Sequence, residues 1–482
     1  MLTSRIRPYP ALFLVLNLVL YCLFVNFSFT SQPSHLLGTS DESVDRTNPH
    51  ETSSLDIVNL TLLYLNDFHG WIEPHDGYGG AATYMGYFRE EGYHHDNDSF
   101  LILSGGDHNT GPAIATLSKG EAVIDVMNAM NFSAAAIGNH EFDFGFDEME
   151  RQKELANFPL LACNIYDEGT TNPANFTVPY VIQEHAGINV GIIGLTTITS
   201  VYVEYEQYYD FGDYELALRN YIDDVESEGA DIVIVLTHVQ PSELVGLASS
   251  VDDLGIELFV GGHAEAPQVT YVNDAMIVAA GHYARQYAKI VLSIDNSTKS
   301  IVSKTGVLID NIEGGVTPDS SVQIVVDYWV DRVNATEVIT YASSDIYDEL
   351  PESQIGNLVT DGFLHHFDWS HNFGITNRGG GFRDYFRQGN ISLGDVVSVI
   401  PFENNLLELT MTGAEILQLL EENHGYYVYS GVRYRYYYDP DLVIHSVGIY
   451  ENGEFYALSP SRTYKGLMSD FNWWQKHLGL YS

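Results

Sequence analysis

The sequence predicts an α/β chain of more than one domain, and three observations carry that expectation. Short apolar runs of strand length recur through the first half, at 60–65, 100–103, 134–137, 160–163, 190–195, 232–236 and 256–260. Stretches with helical spacing lie between several of them, at 121–130, 214–225 and 242–247. The chain has 482 residues, 45% of them hydrophobic, which is too many for one ordinary core. Strands that alternate with helices are buried on both faces, so a largely parallel sheet, or a pair of them, is expected.

The N-terminus carries Arg5 and Arg7, an apolar run over 9–29, and small residues at Ser28 and Thr30. Residues 1–30 read as a secretory signal, with an uncleaved signal-anchor as the alternative and the one route to a membrane. Residues 31–55 are rich in Ser, Thr, Asp and Glu without periodicity, and read as a disordered spacer. Glycosylation sequons at Asn59, Asn97, Asn131, Asn175, Asn296, Asn334 and Asn390 agree with a secreted glycoprotein. Of the two cysteines, Cys22 falls in the leader and Cys163 sits in an apolar run, so the mature chain has no intrachain disulfide and Cys163 reads as core. Lys+Arg number 21 against 65 Asp+Glu, a net charge of -44, which repels nucleic acid. An anionic small substrate therefore needs local positive charge.

The chemistry gathers where the strands end. The run ending at Leu65 is followed by Asn66-Asp67-Phe68-His69-Gly70, and the one ending at Leu103 by Ser104-Gly-Gly-Asp107. The later runs lead into Gly138-Asn139-His140, Thr237-His238 and Gly261-Gly-His263-Ala-Glu265. In α/β sheets, ligands bind outside the carboxyl ends of strands, and glycine permits the close turns. One polar loop of this kind is ordinary; five in order are not. Three imidazoles, three carboxylates and an amide, without cysteine, exclude a soft structural zinc site. Asp67, His69, Asp107, Asn139, His238, His263 and Glu265 suit two divalent ions bridged by one carboxylate, which would clamp a phosphoryl group. His140 is left over and free to assist with protons, beside Asp143.

These motifs resemble the calcineurin-like metallophosphoesterases and, among them, the 5'-nucleotidase family. The resemblance implies a four-layer α/β catalytic domain over 56–312, a linker with a helix over 313–345, and an α+β substrate domain over 346–482. It implies that Asp67, His69, Asp107 and Glu265 hold a first divalent ion (zinc, manganese or similar), and that Asp107, Asn139, His238 and His263 hold a second. It implies a catalytic dyad of His140 and Asp143. Glu265 departs from the family, where an amide is more usual.

The second half carries further family motifs: Ile355-Gly-Asn-Leu-Val-Thr-Asp361, Thr376-Asn-Arg-Gly-Gly-Gly-Phe-Arg383, Ile400-Pro-Phe402 and Ser430-Gly-Val-Arg-Tyr434. By resemblance, Arg383 binds phosphate, and a planar guanidinium suits that task. Asn377 matches a base- or ribose-contacting position, although Arg378 makes the stretch one residue longer and either residue could fill the place. Gln354 stands where relatives often have a second arginine, and Arg378 is the candidate replacement. Phe402 matches one of two rings that sandwich the base. The family's second ring lies in a C-terminal motif that is absent here, with Trp473 or Trp474 as substitutes. The tyrosines of 426–438 read as a half-exposed strand, and His94 and His95 as a solvated loop.

The expected activity is hydrolysis of nucleoside 5'-monophosphates by a hydroxide that two metal ions activate. Rivals are a nucleoside di- or triphosphate, nucleotide-sugar or cyclic-nucleotide hydrolase, and a catalytically silent nucleotide-binding surface protein.

Overall fold

The computed structural model describes residues 5–10, 56–198, 208–349, 353–378, 381–402, 404–439 and 441–469. The rest of the leader, the spacer, Gly379, Gly380, Trp473 and Trp474 lie outside the described residues.

The first half is built on two six-stranded sheets. The first runs Ile301–Asp310, Gln286–Asp295, Ile57–Leu65, Phe100–Ser104, Ala134–Ala136, Leu160–Leu161. Its last four strands are parallel and its first two pair antiparallel. The second runs Gln268–Val272, Ala275–Ala279, Leu258–Val260, Ile232–His238, Ile188–Thr196, Tyr180–His185. It is parallel in the middle and antiparallel at both edges. All seven apolar runs of the sequence contribute to these two sheets or lie at their ends.

Side-chain alternation along the strands sorts the residues into layers. Leu60, Leu62 and Tyr64 face the gap between the sheets, where they join Ile192, Ile234 and Leu236. Leu63 and Leu65 face the other way, in a core that includes residues of the helices Gly80–Glu90 and Glu121–Met130. Ile193, Leu195 and Val235 of the second sheet share a core with the helices Tyr214–Ser227 and Pro241–Ser250. The order helix, sheet, sheet, helix makes four layers. Each buried aliphatic side chain contributes about 1.5–3 kcal/mol, and that gain holds the layers together.

The helix Ser320–Val333, expected within a linker, belongs to this core. The Asp319 carboxylate caps it by accepting from the N–H groups of Ser321 and Val322. Val322, Val326 and Trp329 recur at helical spacing and are buried with the first sheet's helices. The Trp329 indole N–H donates to Asp125 at 3.0 Å.

The second half holds a five-stranded sheet in the order Arg5–Pro10, Asn405–Thr412, Thr463–Ser469, Phe373–Asn377, Tyr427–Ser430. Helices Gln354–His366, Leu393–Val399 and Gly413–Glu422 accompany it, and the last two start in capping boxes. Residues 5–10, read from sequence as leader, run antiparallel along Asn405–Thr412 and cover an otherwise open sheet edge. Tyr436, Tyr437 and Tyr438 are all exposed in the strand Val432–Asp439, so the expected strand is present but its alternation is lost after the register shift at Arg435–Tyr436. Cys163 is buried and free, and His94 and His95 are exposed. Among the described residues, no helix is long and apolar enough to cross a membrane.

The packing of Trp329 separates a connector from a core helix. Trp329→Ala is expected to lower unfolding free energy by about 3–5 kcal/mol in denaturant titration. A loss below about 0.5 kcal/mol, typical of an exposed position, would return this helix to linker status.

Candidate active site

The seven proposed ligands converge because the carboxyl ends of both sheets face one place. Strands Ile57–Leu65, Phe100–Ser104 and Ala134–Ala136 of the first sheet lead into Asp67 and His69, Asp107, and Asn139. From the second sheet, Ile232–His238 ends on His238 itself, and Leu258–Val260 leads into His263 and Glu265. Asp67, His69, Asp107, His263 and Glu265 all have φ between +48° and +68°. Non-glycine residues adopt that region at a cost, so the surroundings must enforce it.

Glu141 supplies much of that enforcement. Its buried carboxylate accepts from the backbone N–H of Gly138 at 2.6 Å, Asp107 at 2.8 Å, His108 at 2.9 Å and Asn109 at 3.3 Å. It thereby fastens the Asp107 loop to the Asn139–His140 loop. Gly138 permits the approach, since a Cβ there would meet an Asp107 oxygen at 2.2 Å. Sequence reading gives Glu141 no task.

Asp107 sits in the middle. One carboxylate oxygen lies 3.1 Å from His238 Nε2 and 3.7 Å from His69 Nε2, and the other accepts from the His140 N–H at 2.9 Å. His69 Nδ1 faces the Thr110 carbonyl at 3.1 Å, and His238 Nδ1 faces the Gly105 carbonyl at 2.7 Å. Each Nδ1–H donates to its carbonyl, which turns the Nε2 lone pair to the centre. Burial holds His69 well below the usual imidazole range and takes His263 down to about 4, so both rings are neutral. Asp67 accepts from Asn66 Nδ2 at 2.6 Å and from the His263 N–H at 3.1 Å, and burial pushes its carboxyl up.

Among the described residues, two groups bring ligand atoms within 4.8 Å of one another: His69, Asp107 and His140, and Asp107, His238 and His263. Asp107 belongs to both. Asn139 Oδ1 is buried without a hydrogen-bond partner. Glu265 lies 3.7 Å from His69 Nε2. Burial works against a charged His238, but Asp107 outweighs it and raises that ring to about 10, a proton that a bound cation would displace. Imidazoles, carboxylates and an orphaned amide oxygen around a shared carboxylate fit divalent cations.

The first group includes His140, which sequence reading reserves for protons, and leaves out Asp67 and Glu265. The hydrogen bonds favour the proton role. His140 Nδ1 lies 2.7 Å from Asp143 and its Nε2 2.5 Å from Arg383 Nη2. Arg383 can only donate, so the ring proton sits on Nδ1 and Nε2 accepts. Burial works against the imidazolium, but Asp143 and Asp107 outweigh it and hold the His140 pKa above its ordinary value.

The second half reaches into this centre. Arg383 Nη1 lies 3.2 Å from the Tyr283 hydroxyl and 3.5 Å from Glu265. Phe402 lies 5.5 Å beneath the Arg383 guanidinium and 6.1 Å from the His140 ring. Asn377 is the buried end of the strand Phe373–Asn377 and packs against Gly381. Arg378 departs from expectation. Its Nε lies 3.0 Å from Asp348 and its Nη2 donates to the Asp348 carbonyl at 3.1 Å. That pairing engages the charge that the sequence reading offers in place of the arginine missing at Gln354. Sequence reading missed Tyr283, which carries no motif signal, and the ties of Arg387 to Asp76 at 2.7 Å and of the Ala113 N–H to Ser398 at 3.0 Å.

Comparison with known proteins agrees with both halves. The family described as calcineurin-like phosphoesterase matches residues 60–282, and the 5'-nucleotidase C-terminal domain matches 333–477. The chain is 27% identical to a 5'-nucleotidase of Vibrio parahaemolyticus, over 77% of this chain and 76% of that one. It is 24% identical to a cell wall protein of Listeria monocytogenes, over 92% of this chain and 67% of that one. The crystal structure of a 5'-nucleotidase precursor from Thermus thermophilus shares the fold, with a TM-score of 0.73 at 24% identity, covering 86% of this chain and 90% of that one.

Glu141→Gln would turn an amide NH₂ against backbone donors and loosen both loops. Affinity for a divalent cation, measured by calorimetry, is expected to fall about 10–100-fold, the usual cost of losing an outer support. Unchanged affinity would show that the loops hold without it.

Proposed function

Because this chain belongs to the 5'-nucleotidase family of the calcineurin-like phosphoesterases, and is a metal-dependent hydrolase of nucleotide phosphoesters, we propose that its substrates are nucleoside 5'-monophosphates, cleaved to nucleoside and phosphate. The observation that carries this reading is the meeting of Arg383 and Phe402 from the second half with His140 and Asp107 from the first. A substrate with its phosphate at Asp107 and its base at Phe402 would span both halves.

Asp67, His69, Asp107 and Glu265 would hold one divalent ion, and Asp107, Asn139, His238 and His263 a second. Bound divalent ions supply Lewis acidity toward water and neutralise phosphoryl charge. The protein groups do the rest. Arg383 presents a planar pair of N–H donors to phosphate oxygens. Asp143 holds the proton of His140 on Nδ1, so Nε2 faces the reacting group and carries a proton to the departing oxygen when the ring is charged. Phe402 offers a flat face to the base, which favours nucleosides over plain phosphate esters. The N-terminal apolar run, the sequons and the cell wall relative support work outside the cytoplasm.

The Arg378–Asp348 pair favours a second reading within the same chemistry. With one guanidinium fewer at phosphate, a singly charged diester, such as a cyclic nucleotide, loses less than a doubly charged monoester.

Product release from AMP, other monophosphates, ADP, ATP, a nucleotide sugar, a cyclic nucleotide and a plain ester, with nucleosides, phosphomonoesters and phosphate separated by chromatography, with and without chelator, decides the matter. Chelator-sensitive release fastest from monophosphates, and abolished by Asp107→Ala, is expected. Faster release from the sugar nucleotide or the cyclic nucleotide would move the substrate, and no release from any would end the reading. Asp143→Asn is expected to lower kcat about 10²–10⁴-fold, the worth of a positioned acid–base group, with KM little changed. An equal kcat would remove the dyad.

A further inference from the structure

Arg383 is occupied, and its partners are informative. Its guanidinium meets three acceptors of the first half: His140 Nε2 at 2.5 Å on Nη2, and the Tyr283 hydroxyl at 3.2 Å and Glu265 at 3.5 Å on Nη1. The Arg383 side chain is only 8% exposed. Only one of those partners carries a charge of opposite sign. Glu265 is also aimed. A tight turn places the Ala264 N–H on the Gly262 carbonyl at 2.8 Å, and Glu265 follows at φ +51°. His282 Nδ1 lies 3.2 Å from the Glu265 backbone carbonyl, and its Nε2 lies 3.9 Å from the Glu265 carboxylate. One Glu265 carboxylate oxygen thus sits on the guanidinium where a phosphate oxygen would sit, while the other faces His282.

We propose that Glu265 is an internal stand-in for phosphate: its carboxylate holds Arg383 when the site is free and competes with bound phosphate for it. The inference rests on the proposed phosphate role of Arg383. An oxygen ligand for a cation is available from either a carboxylate or an amide, so the charge at position 265 has this second consequence. A guanidinium already paired gains less from a new anion, which weakens phosphate binding and speeds its departure. When phosphate leaves, Glu265 reclaims Arg383, and the two halves stay joined without substrate.

The test is the affinity of inorganic phosphate for the full, metal-loaded protein, measured by calorimetry after metal content is matched. Glu265→Gln keeps an oxygen and removes the charge. It is expected to tighten phosphate binding roughly tenfold, the scale of one charged hydrogen bond. The gain should vanish when Arg383→Ala is added. Structural damage would weaken binding, so a gain is diagnostic. Glu265→Asp keeps a charged oxygen ligand for a cation but draws it back from Arg383 by one methylene, and should tighten binding about two- to threefold. It decides the question if Glu265→Gln cannot be loaded with metal. Unchanged or weaker phosphate binding in the variants, or a gain that survives loss of Arg383, would overturn the proposal. Hydrolysis of AMP by the unaltered enzyme is scored separately: phosphate binding that responds as stated without AMP turnover would overturn only the substrate reading.

Discussion

A buried carboxylate, Asp107, lies between two clusters of imidazole nitrogen, and the surrounding structure serves to keep it there. Charge is costly to bury unless it is paired and hydrogen-bonded. Asp107 is 2% exposed, and its two oxygens are divided between the His140 N–H on one side and His69 and His238 on the other. The loops that carry these groups have backbone angles they would not choose alone. Glu141 holds them with four N–H donors, and the carbonyls of Thr110 and Gly105 fix which imidazole nitrogen is free. The two-sheet fold makes this possible, because the carboxyl ends of separate sheets meet only where the sheets stack.

That arrangement explains why so much was legible in the sequence. Strands buried on both faces must be nearly continuous apolar runs, so the core strands announce themselves. The ligands follow those runs directly, beside glycines such as Gly106 and Gly138 whose place cannot take a side chain. The helix Gly80–Glu90 stayed hidden for a physical reason. It starts at Gly79 without a side-chain cap, has no acid in its first turn and includes two glycines. The helix Ser320–Val333 was legible as a helix, but its allegiance depends on what Val322, Val326 and Trp329 touch, which periodicity does not reveal.

Contacts across long sequence separations were the least legible. Arg378 looked free because Asp348 lies 30 positions away and carries no motif. Tyr283 became relevant only when Arg383 arrived from a hundred residues further on. Both concern the second half, where substrate recognition is assembled from single residues. The candidate metal cluster is instead specified by whole loops, so it is the easier to read from sequence. The junction also makes the site a property of two halves at once. Ion pairs of Arg387 with Asp76 and of Arg383 with Glu265 tie them together, and both pairs are interrupted if the halves separate.

The central claim is that Asp107 is shared between two cations. Anomalous diffraction from crystals grown with manganese, recorded at a wavelength where it scatters strongly, tests this most directly. The account predicts two peaks, one on each side of the Asp107 carboxylate, within reach of His69 on one side and of Asn139, His238 and His263 on the other. A single peak, or peaks remote from Asp107, would contradict it.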